Sequence, residues 1–431
     1  MKRKAVRLLA AMALLGSYCS NAAAEQVTLT YGDWQAAQKA WNASLTEALA
    51  EFESRNPDIK VVLEPVALAQ RDVKYTTAIR GGRGPDVFAL DAPPSKQYIE
   101  NGWVRDLSDF VGKQPSGWLE SFYPRTLDVV RKDGKYYGVP VNVIAILFAY
   151  NERLFREAGV AQPPKTWSEF RAAAKKLTRS SSGAAIDRWA TTVPIGPGCF
   201  DLRWTAFMRS FGANVLSDDW SRSALNSREA LEALKFFVAM VKEDKTIPPG
   251  VAQVDCNGAR QLVATNTVAM VLESIWLNAI LKEIDPNYPD ADIKYMPLPV
   301  RDGAVPSVRT TLYQKSLYIN PHSKHPEAAW KLISFLTEKK QMERWFKDNQ
   351  NLSAIRAINE ESKIIASDPG AKILSAEIAH ADFVPLVPQW PEISETVRKA
   401  VQDSVAGTAT PEQALAKAHE RVEAILGRSK R

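Results

Sequence analysis

Residues 84–91 read Gly-Pro-Asp-Val-Phe-Ala-Leu-Asp, a tight turn that leads into an apolar run and ends at an acidic side chain. A short apolar run bounded by turn residues is typical of a buried strand. Strand and helix patterns alternate in the order β-α-β-α-β, at 27–31, 36–55, 59–63, 72–80 and 86–90. Right-handed crossovers between such strands predict a parallel sheet whose ligand-facing loops lie at the carboxyl ends of the strands. Those loops begin at Gly32 and at Asp91.

The rest of the chain starts a second α/β unit. A hairpin that turns at Asp133-Gly134 precedes the apolar stretch 141–150, whose β-branched residues predict one buried strand. Further on, Thr166 and Glu169 have the spacing of a helical capping box. Because strand and helix patterns keep alternating, we expect a chain of α/β class with two units.

Composition agrees with an ordinary globular protein. Of 431 residues, 45% are hydrophobic and 24% are charged, and there are only 3 cysteines. These values exclude a disordered, a collagen-like and a disulfide-built chain. The length suggests two or three domains, of which we expect two, each large enough to bury its own core.

The first residues have the pattern of a secretory signal peptide. Four basic residues, at positions 2, 3, 4 and 7, precede the apolar run 8–15, and three alanines follow at 22–24. The apolar run is too short to span a bilayer. Cleavage near Ala24 removes four bases and no acid, so the formal charge falls from +6 to +2. We therefore predict a nearly neutral chain exported to the periplasm, with no nucleic-acid partner.

Two cysteines, Cys199 and Cys256, remain after cleavage. An oxidising compartment lets them pair if the fold brings them together, whereas buried free thiols are the alternative. The four histidines form no HExxH motif, and His322 and His325 lie in a polar turn. We predict no metal site and no cofactor.

Tryptophan is the most distinctive residue type, with twelve in the chain, whereas GxGxxG, Walker and GxSxG motifs are absent. Flat aromatic rings stack on the C–H faces of sugars, and sugar hydroxyls need polar partners close by. Three tryptophans have such a partner nearby: Trp34 beside Asp33, Trp276 near Glu273, and Trp390 beside Gln389. This pattern favours carbohydrate binding.

Several segments, in order and spacing, resemble the extracellular solute-binding proteins of ABC importers, in particular the maltose-binding-protein-like carbohydrate group. Residues 84–91 look like that family's Gly-x-Pro-Asp-Val strand, and 135–140 like its entry to the interlobe crossover. Residues 268–270 with Trp276 are similar to its Val-Ala-Met strand and downstream tryptophan, and 407–415 to its Gly-x-x-x-Pro-Glu-x-Ala-Leu tail. The resemblance covers nearly the whole mature chain.

The resemblance implies a two-lobed periplasmic-binding-protein fold of type II, with the ligand in the interlobe cleft. It places residues 25–139 plus 311–350 in lobe 1 and 140–310 plus 351–431 in lobe 2, with crossovers near Pro140, Thr310 and Gln350. The cleft residues carried over are Trp34, Asp91, Asn142, Trp276, Tyr313 and Arg356. Where many relatives have a glycine-rich turn before the tryptophan, this chain has Glu273, so we expect a side-chain contact there.

Three functions remain open at this stage. The first is a non-catalytic receptor, which we expect to be a monomer, that closes on a sugar, oligosaccharide or polyol and presents it to an ABC permease. The second is a secreted glycoside hydrolase, which also needs carboxylates beside aromatic rings. The third is a binding protein for a non-sugar small solute.

Overall fold

The computed structural model describes residues 26–180, 185–304 and 306–428. The predicted signal peptide, residues 1–24, lies outside them. Within these ranges, none of the helices combines the length and the apolar character that crossing a membrane requires.

The described residues contain thirteen strands in three sheets. They are β1 (Val27–Asp33), β2 (Ile59–Pro65), β3 (Val87–Asp91), β4 (Arg131–Lys132), β5 (Lys135–Tyr136), β6 (Gly138–Ala145), β7 (Leu147–Asn151), β8 (Trp189–Thr192), β9 (Val268–Glu273), β10 (Ile293–Met296), β11 (Thr310–Ile319), β12 (Leu352–Ser353) and β13 (Ala381–Phe383). The larger sheet has the order β12-β6-β11-β3-β1-β2, and β13 pairs with β11. The smaller sheet has the order β10-β7-β9-β8, and β4 and β5 form a separate ribbon.

Eighteen α-helices cover these sheets in the described ranges. They are α1 (Lys39–Arg55), α2 (Leu68–Arg80), α3 (Ala92–Glu100), α4 (Ser108–Val111), α5 (Pro124–Val130), α6 (Glu152–Glu157), α7 (Trp167–Leu177), α8 (Phe200–Ser210), α9 (Arg228–Lys242), α10 (Cys256–Ala264), α11 (Leu277–Ile284), α12 (Pro326–Leu336), α13 (Lys339–Asn349), α14 (Arg356–Glu361), α15 (Lys363–Ser367), α16 (Pro369–Ile378), α17 (Trp390–Ala406) and α18 (Pro411–Arg428).

The predicted β-α-β-α-β unit is confirmed. Strand β1 pairs in parallel with β2 on one side and with β3 on the other, and α1 and α2 connect these strands. The predicted capping box is also present at the start of α7, where Thr166 and Glu169 bond each other's backbone N–H groups. The carboxyl ends of β1 and β3 therefore lie at the same edge of the larger sheet.

The prediction of one strand over 141–150 was wrong. The chain forms β6 in the larger sheet and β7 in the smaller sheet, and Ile146 between them donates its N–H to the carbonyl of Thr311 at 3.0 Å. Both strands are almost entirely buried, so apolar residues are needed on either side of the change of sheet. Residues 143–149 are all apolar, and no polar residue marks the point where the chain leaves one sheet for the other. This segment is the first crossover between the two halves of the molecule.

We name the half built on the larger sheet the first lobe and the half built on the smaller sheet the second lobe. Strands β1, β2, β3 and most of β11 lie in ranges predicted for lobe 1. The short strands β12 and β13, which lie in the range predicted for lobe 2, pair with strands of the larger sheet. The sequence boundaries of the lobes stay a prediction.

Candidate functional site

Polar and aromatic side chains meet where β3 ends, beside the middle of β11. Asp91 Oδ2 is 2.8 Å from Arg71 Nη1, and Asp91 Oδ1 accepts a hydrogen bond from the Tyr313 hydroxyl at 2.9 Å. Arg71 is supplied by α2 and is buried. Burial, followed by the charge of Asp91, raises the pKa of Tyr313 well above its usual value. Tyr313 is therefore a neutral hydrogen-bond donor that belongs to the first lobe.

The ring of Tyr313 also contacts the second lobe. The Trp276 ring lies with its centroid 5.8 Å from that of Tyr313, at an interplanar angle of 81°. Edge-to-face pairs at this distance are attractive because the positive edge of one ring meets the negative face of the other. Trp276 immediately precedes α11, three residues after the end of β9. The pair thus joins the strand ends of the two sheets.

Glu273, the last residue of β9, holds the indole of Trp276 through a 2.6 Å hydrogen bond from Nε1 to Oε2. The same carboxylate is 2.7 Å from Arg203 Nη2 and 2.8 Å from Arg260 Nε, and its side chain is 1% exposed. Burial alone would raise the pKa of Glu273, but the charges of Arg203 and Arg260 hold it below its usual value. Glu273 is therefore ionised and engaged at both oxygens. Its predicted direct contact with a ligand stays a prediction.

A disulfide joins Cys199 to Cys256, with 5.6 Å between the Cα atoms. The sequence left this pairing open, and the structure shows it. Cys199 is the residue before α8, and Cys256 is the first residue of α10. The bridge therefore ties together the two helices that carry Arg203 and Arg260.

Asp201, in the first turn of α8, is a site residue that the sequence analysis did not identify. Burial raises the pKa of its carboxyl, and the hydrogen bond from the Leu202 N–H and the charge of Arg203 oppose the shift. An acid in the first turn of a helix is common for reasons of capping, so its position in the sequence did not single it out.

Asp33 lies at the end of β1 and is fully buried. Its carboxylate is 2.9 Å from Lys315 Nζ and accepts hydrogen bonds from the Tyr31 hydroxyl and the Gln35 N–H. The Lys315 ammonium, which also contacts the Gln35 side chain, lies 4.1 Å from the centre of the Trp345 ring. Burial lowers the pKa of Lys315, although the charge of Asp33 opposes this. The carboxylate of Asp33 is thus used within the first lobe.

Three predicted residues, Trp34, Asn142 and Trp390, keep a buried donor without a partner among the described residues. The Trp34 indole packs edge-to-face on Trp41 at 5.7 Å, and its N–H is unpaired. Asn142 accepts the Lys315 N–H at 2.8 Å, but its amide nitrogen has no acceptor. Buried donors are rarely left unsatisfied, so each of these groups suits a water or a ligand hydroxyl.

Arg356 lies apart from these residues. Its side chain is 54% exposed at the start of α14, and its ion pair is with Glu360 at 3.6 Å on the same helix. The structure therefore links Asp91, Tyr313, Trp276 and Glu273 by direct contacts, joins Asp33 and Asn142 through Lys315, and places Arg356 on the surface. Within the described residues, no group of three His, Cys, Asp or Glu side chains is arranged to hold a metal ion.

A cavity of about 940 Å³ opens between the lobes on the side of α11. Lys39 and Glu47 of α1 and Lys347 of α13 line one wall, and Asn278 of α11 and Tyr295 of β10 line the other. The nine predicted ligand residues are not among those that line it. Its mixed charges suit a polar ligand without a strong net charge.

The chain is similar to known proteins over most of its length. Residues 33–343 match the family model described as bacterial extracellular solute-binding protein. A putative binding protein of Brucella abortus (strain 2308) is 27% identical over 423 residues, which are 97% of each chain.

Two solved structures give the same result for the fold. An ABC transporter solute-binding protein of Thermotoga lettingae, bound with alpha-D-tagatose, has a TM-score of 0.82 and 27% identity, covering 93% of this chain and 100% of that one. An ABC substrate-binding protein of Listeria monocytogenes, in complex with cycloalternan, has a TM-score of 0.80 and 25% identity, covering 93% and 99%. These matches confirm the predicted two-lobed α/β fold of type II.

Proposed function

Because this chain belongs to the bacterial extracellular solute-binding proteins, we propose that it captures a carbohydrate between its lobes and delivers it to the permease of an ABC importer. The observation that carries the proposal is the cluster of Asp91, Tyr313 and Trp276, in which a carboxylate and an aromatic pair connect the two lobes. The two structural relatives, bound with alpha-D-tagatose and with cycloalternan, support a sugar or oligosaccharide as the ligand.

The chemistry of the cluster fits a neutral, polyhydroxylated ligand. A sugar hydroxyl both donates and accepts, so it pairs with a carboxylate such as Asp91 or Asp201 and with an indole N–H such as that of Trp34. The aromatic faces of Trp276 and Trp390 supply apolar contact for the C–H side of the ring. Arg71 pairs with Asp91, so this pair carries no net charge that would select a strongly charged solute.

The proposed mechanism is hinge closure. Strands β6, β7 and β11 connect the lobes, and a ligand that contacts Asp91 in the first lobe and Trp276 in the second stabilises only the closed arrangement. The permease then distinguishes the closed, loaded form from the open one. We also propose export to the periplasm, where an oxidising environment would maintain the Cys199–Cys256 bridge, and a monomeric state.

A calorimetric and thermal-shift panel tests this function. The probes are alpha-D-tagatose, cycloalternan, maltose, maltotriose and a linear polyol, with phosphate and an amino acid as non-sugar controls. We expect a carbohydrate to bind and to raise the unfolding temperature, since a ligand at 100 times its Kd stabilises the native state by about 2.7 kcal/mol. Binding of a non-sugar solute alone would overturn the sugar assignment.

One observation favours the alternative of a glycoside hydrolase. Burial raises the pKa of Asp201, whereas Asp91 is paired with Arg71, and a pair of carboxyl groups in unequal environments is what such an enzyme uses. Against it, the Asp91 carboxylate is already held by Arg71 and Tyr313. Incubating the protein with each bound oligosaccharide and measuring reducing ends decides the matter. Turnover would reject the receptor, and tight binding without turnover rejects the hydrolase.

A further inference from the structure

We propose that the Cys199–Cys256 disulfide is a positioning element of the ligand site. It fixes the two arginines that hold Glu273, and Glu273 in turn fixes the indole of Trp276. The consequence for ligand affinity rests on the proposed function of Trp276, whereas the positioning itself does not.

Each of the two arginines lies four residues after one of the two cysteines. Arg203 follows Cys199 by four residues at the start of α8, and Arg260 follows Cys256 by four residues at the start of α10. In a helix, residues four apart lie on the same face. A covalent link between the two cysteines therefore holds together the two helix faces from which the arginines approach one carboxylate.

The segments that precede the helices are packed closely enough for the link to act directly. The Gly196 N–H donates to the carbonyl of Val254 at 2.8 Å. A Cβ atom at Gly196 would lie 2.8 Å from the backbone nitrogen of Asp255. The bridge and this backbone hydrogen bond thus both act on the distance between these helix starts.

The buried charges make this distance critical. The side chains of Glu273, Arg203 and Arg260 are 1%, 4% and 12% exposed. A buried ion pair is favourable only while its geometry is good, because both charges have lost their hydration. Arg203 also donates from Nε to the carbonyl of Leu272 at 3.2 Å, which ties α8 to β9. A shift of either helix therefore moves the carboxylate or leaves a charge unpaired.

The Glu273 carboxylate connects the two arginines to Trp276 of the candidate ligand site. Glu273 Oε2 accepts hydrogen bonds from both Arg203 Nη2 and the Trp276 indole N–H. A rotation of the carboxylate therefore changes the direction in which the indole points. The ring of Trp276 meets Tyr313 edge to face, and Tyr313 bonds Asp91. The disulfide is thereby connected, through four side chains, to the point where the lobes meet.

The test needs no ligand. The full-length mature protein is labelled with ¹⁵N-tryptophan, and the Trp276 indole N–H resonance is assigned from its loss in Trp276→Phe. In the Cys199→Ala/Cys256→Ala variant we expect this resonance to broaden or to shift in the same direction as it does in Glu273→Gln. The reason is that the hydrogen bond from the Trp276 indole N–H to the Glu273 carboxylate weakens in both variants. The resonances of Trp103 and Trp330, which pack in the first lobe, should stay in place and show that the protein is folded.

A Trp276 resonance that is unchanged in the double alanine variant, while Glu273→Gln moves it, would overturn the proposal. If the variant does not fold, the oxidised wild type is reduced in place with a phosphine reductant and the same resonance is followed while the control resonances persist. A shift of the Trp276 resonance on reduction would support the proposal, and an unchanged resonance would overturn it.

A second arm measures affinity for the carbohydrate that binds in the panel described above. Loss of the bridge should weaken binding about tenfold, the effect of one weakened charge-assisted hydrogen bond. In a Trp276→Ala background the same loss should have no effect, whereas in a Trp34→Ala background it should persist. Equal losses in all three backgrounds would mean that the bridge acts on the fold in general. If no carbohydrate binds, the proposed function fails while the spectroscopic arm still decides this inference.

Discussion

The indole of Trp276 makes two different contacts: its N–H donates to Glu273, and its ring meets the ring of Tyr313. The N–H is thus used within the second lobe, so in our proposal the ring of Trp276, and not its N–H, contacts the ligand. This division explains why a tryptophan and a glutamate occur together at the end of β9. The carboxylate orients the ring, and the ring, in our proposal, contacts the sugar.

We expect Trp276→Ala to weaken carbohydrate binding about tenfold, because stacking and apolar contact are lost together. Trp276→Phe should lose less, since it keeps one aromatic ring for stacking, although it removes the N–H and the larger area of the indole. Titration calorimetry measures both. The matched control is Trp330→Ala, since Trp330 stacks on Phe110 in the first lobe at 5.2 Å. Equal affinities for the wild type and Trp276→Ala would remove Trp276 from the site.

We expect removal of the Asp201 charge to raise the stability of the protein and to weaken its binding of sugar. The pKa of Asp201 is raised in the folded protein, mainly by burial, so the folded state binds its proton more tightly than the unfolded state does. The contribution of Asp201 to stability is therefore favourable below the unfolded pKa of about 3.9 and is lost as the pH rises through the higher folded pKa.

Asp201→Asn should therefore stabilise the empty protein at pH 7, while the amide oxygen still accepts the Leu202 N–H. The same change should weaken sugar binding, because a charged acceptor becomes a neutral one. Urea unfolding at pH 7 and at pH 4 checks the first part, and the gain should shrink at the lower pH. A variant that is less stable than the wild type at pH 7 would contradict the assigned direction of the pKa shift.

At the scale of elements, regular periodicity was enough to predict the β-α-β-α-β unit of the first lobe. It was not enough for 141–150, because the chain leaves one sheet and enters the other inside a continuous apolar run. The arginines of the Glu273 cluster were missed for a related reason. Arg203 is 70 residues from Glu273 in sequence, and an arginine in a helical pattern indicates a solvent-facing side chain unless the tertiary contact is known. Asp201 was missed on the same ground.

The starts of α8 and α10 give a prediction for backbone packing. Gly196→Ala places a methyl group 2.8 Å from the backbone of Val254 and Asp255, and backbone atoms cannot swing aside. We expect a loss of about 1–3 kcal/mol in the free energy of unfolding, the usual cost of overpacking. Gly427→Ala in α18 is the control, because its Cβ meets open space and alanine is the better helix former. Chemical denaturation of both variants checks this, and an unchanged Gly196→Ala would show that the two helix starts can separate freely.

At the scale of the whole molecule, β11 is a strand of the larger sheet that is also hydrogen-bonded to the second lobe at its start. Its middle and end pair with β3 and β6 in the larger sheet. At its start, Thr310 donates its hydroxyl to the carbonyl of Ile146 and Thr311 donates to that of Leu202, which anchors the strand on the second lobe. Arg209 of α8 also donates a hydrogen bond from Nη2 to the carbonyl of Phe383 on the neighbouring strand β13. The hinge is thus fixed at one end by hydrogen bonds, whereas the strand ends that carry Asp91 and Trp276 meet through side chains.

Closure should therefore depend on those side chains and on the sugar between them. We expect saturating sugar to reduce the radius of gyration measured by small-angle scattering, because contacts with both lobes stabilise only the closed form. Asp91→Ala in the first lobe and Trp276→Ala in the second should each weaken the compaction at a fixed sugar concentration. Tyr313→Phe should retain it at saturation with a lower affinity, since the ring stays and only the bond to Asp91 is lost. A radius of gyration that stays constant in the wild type, while calorimetry shows the sugar to be bound, would reject hinge closure for this protein and leave binding to a rigid cleft.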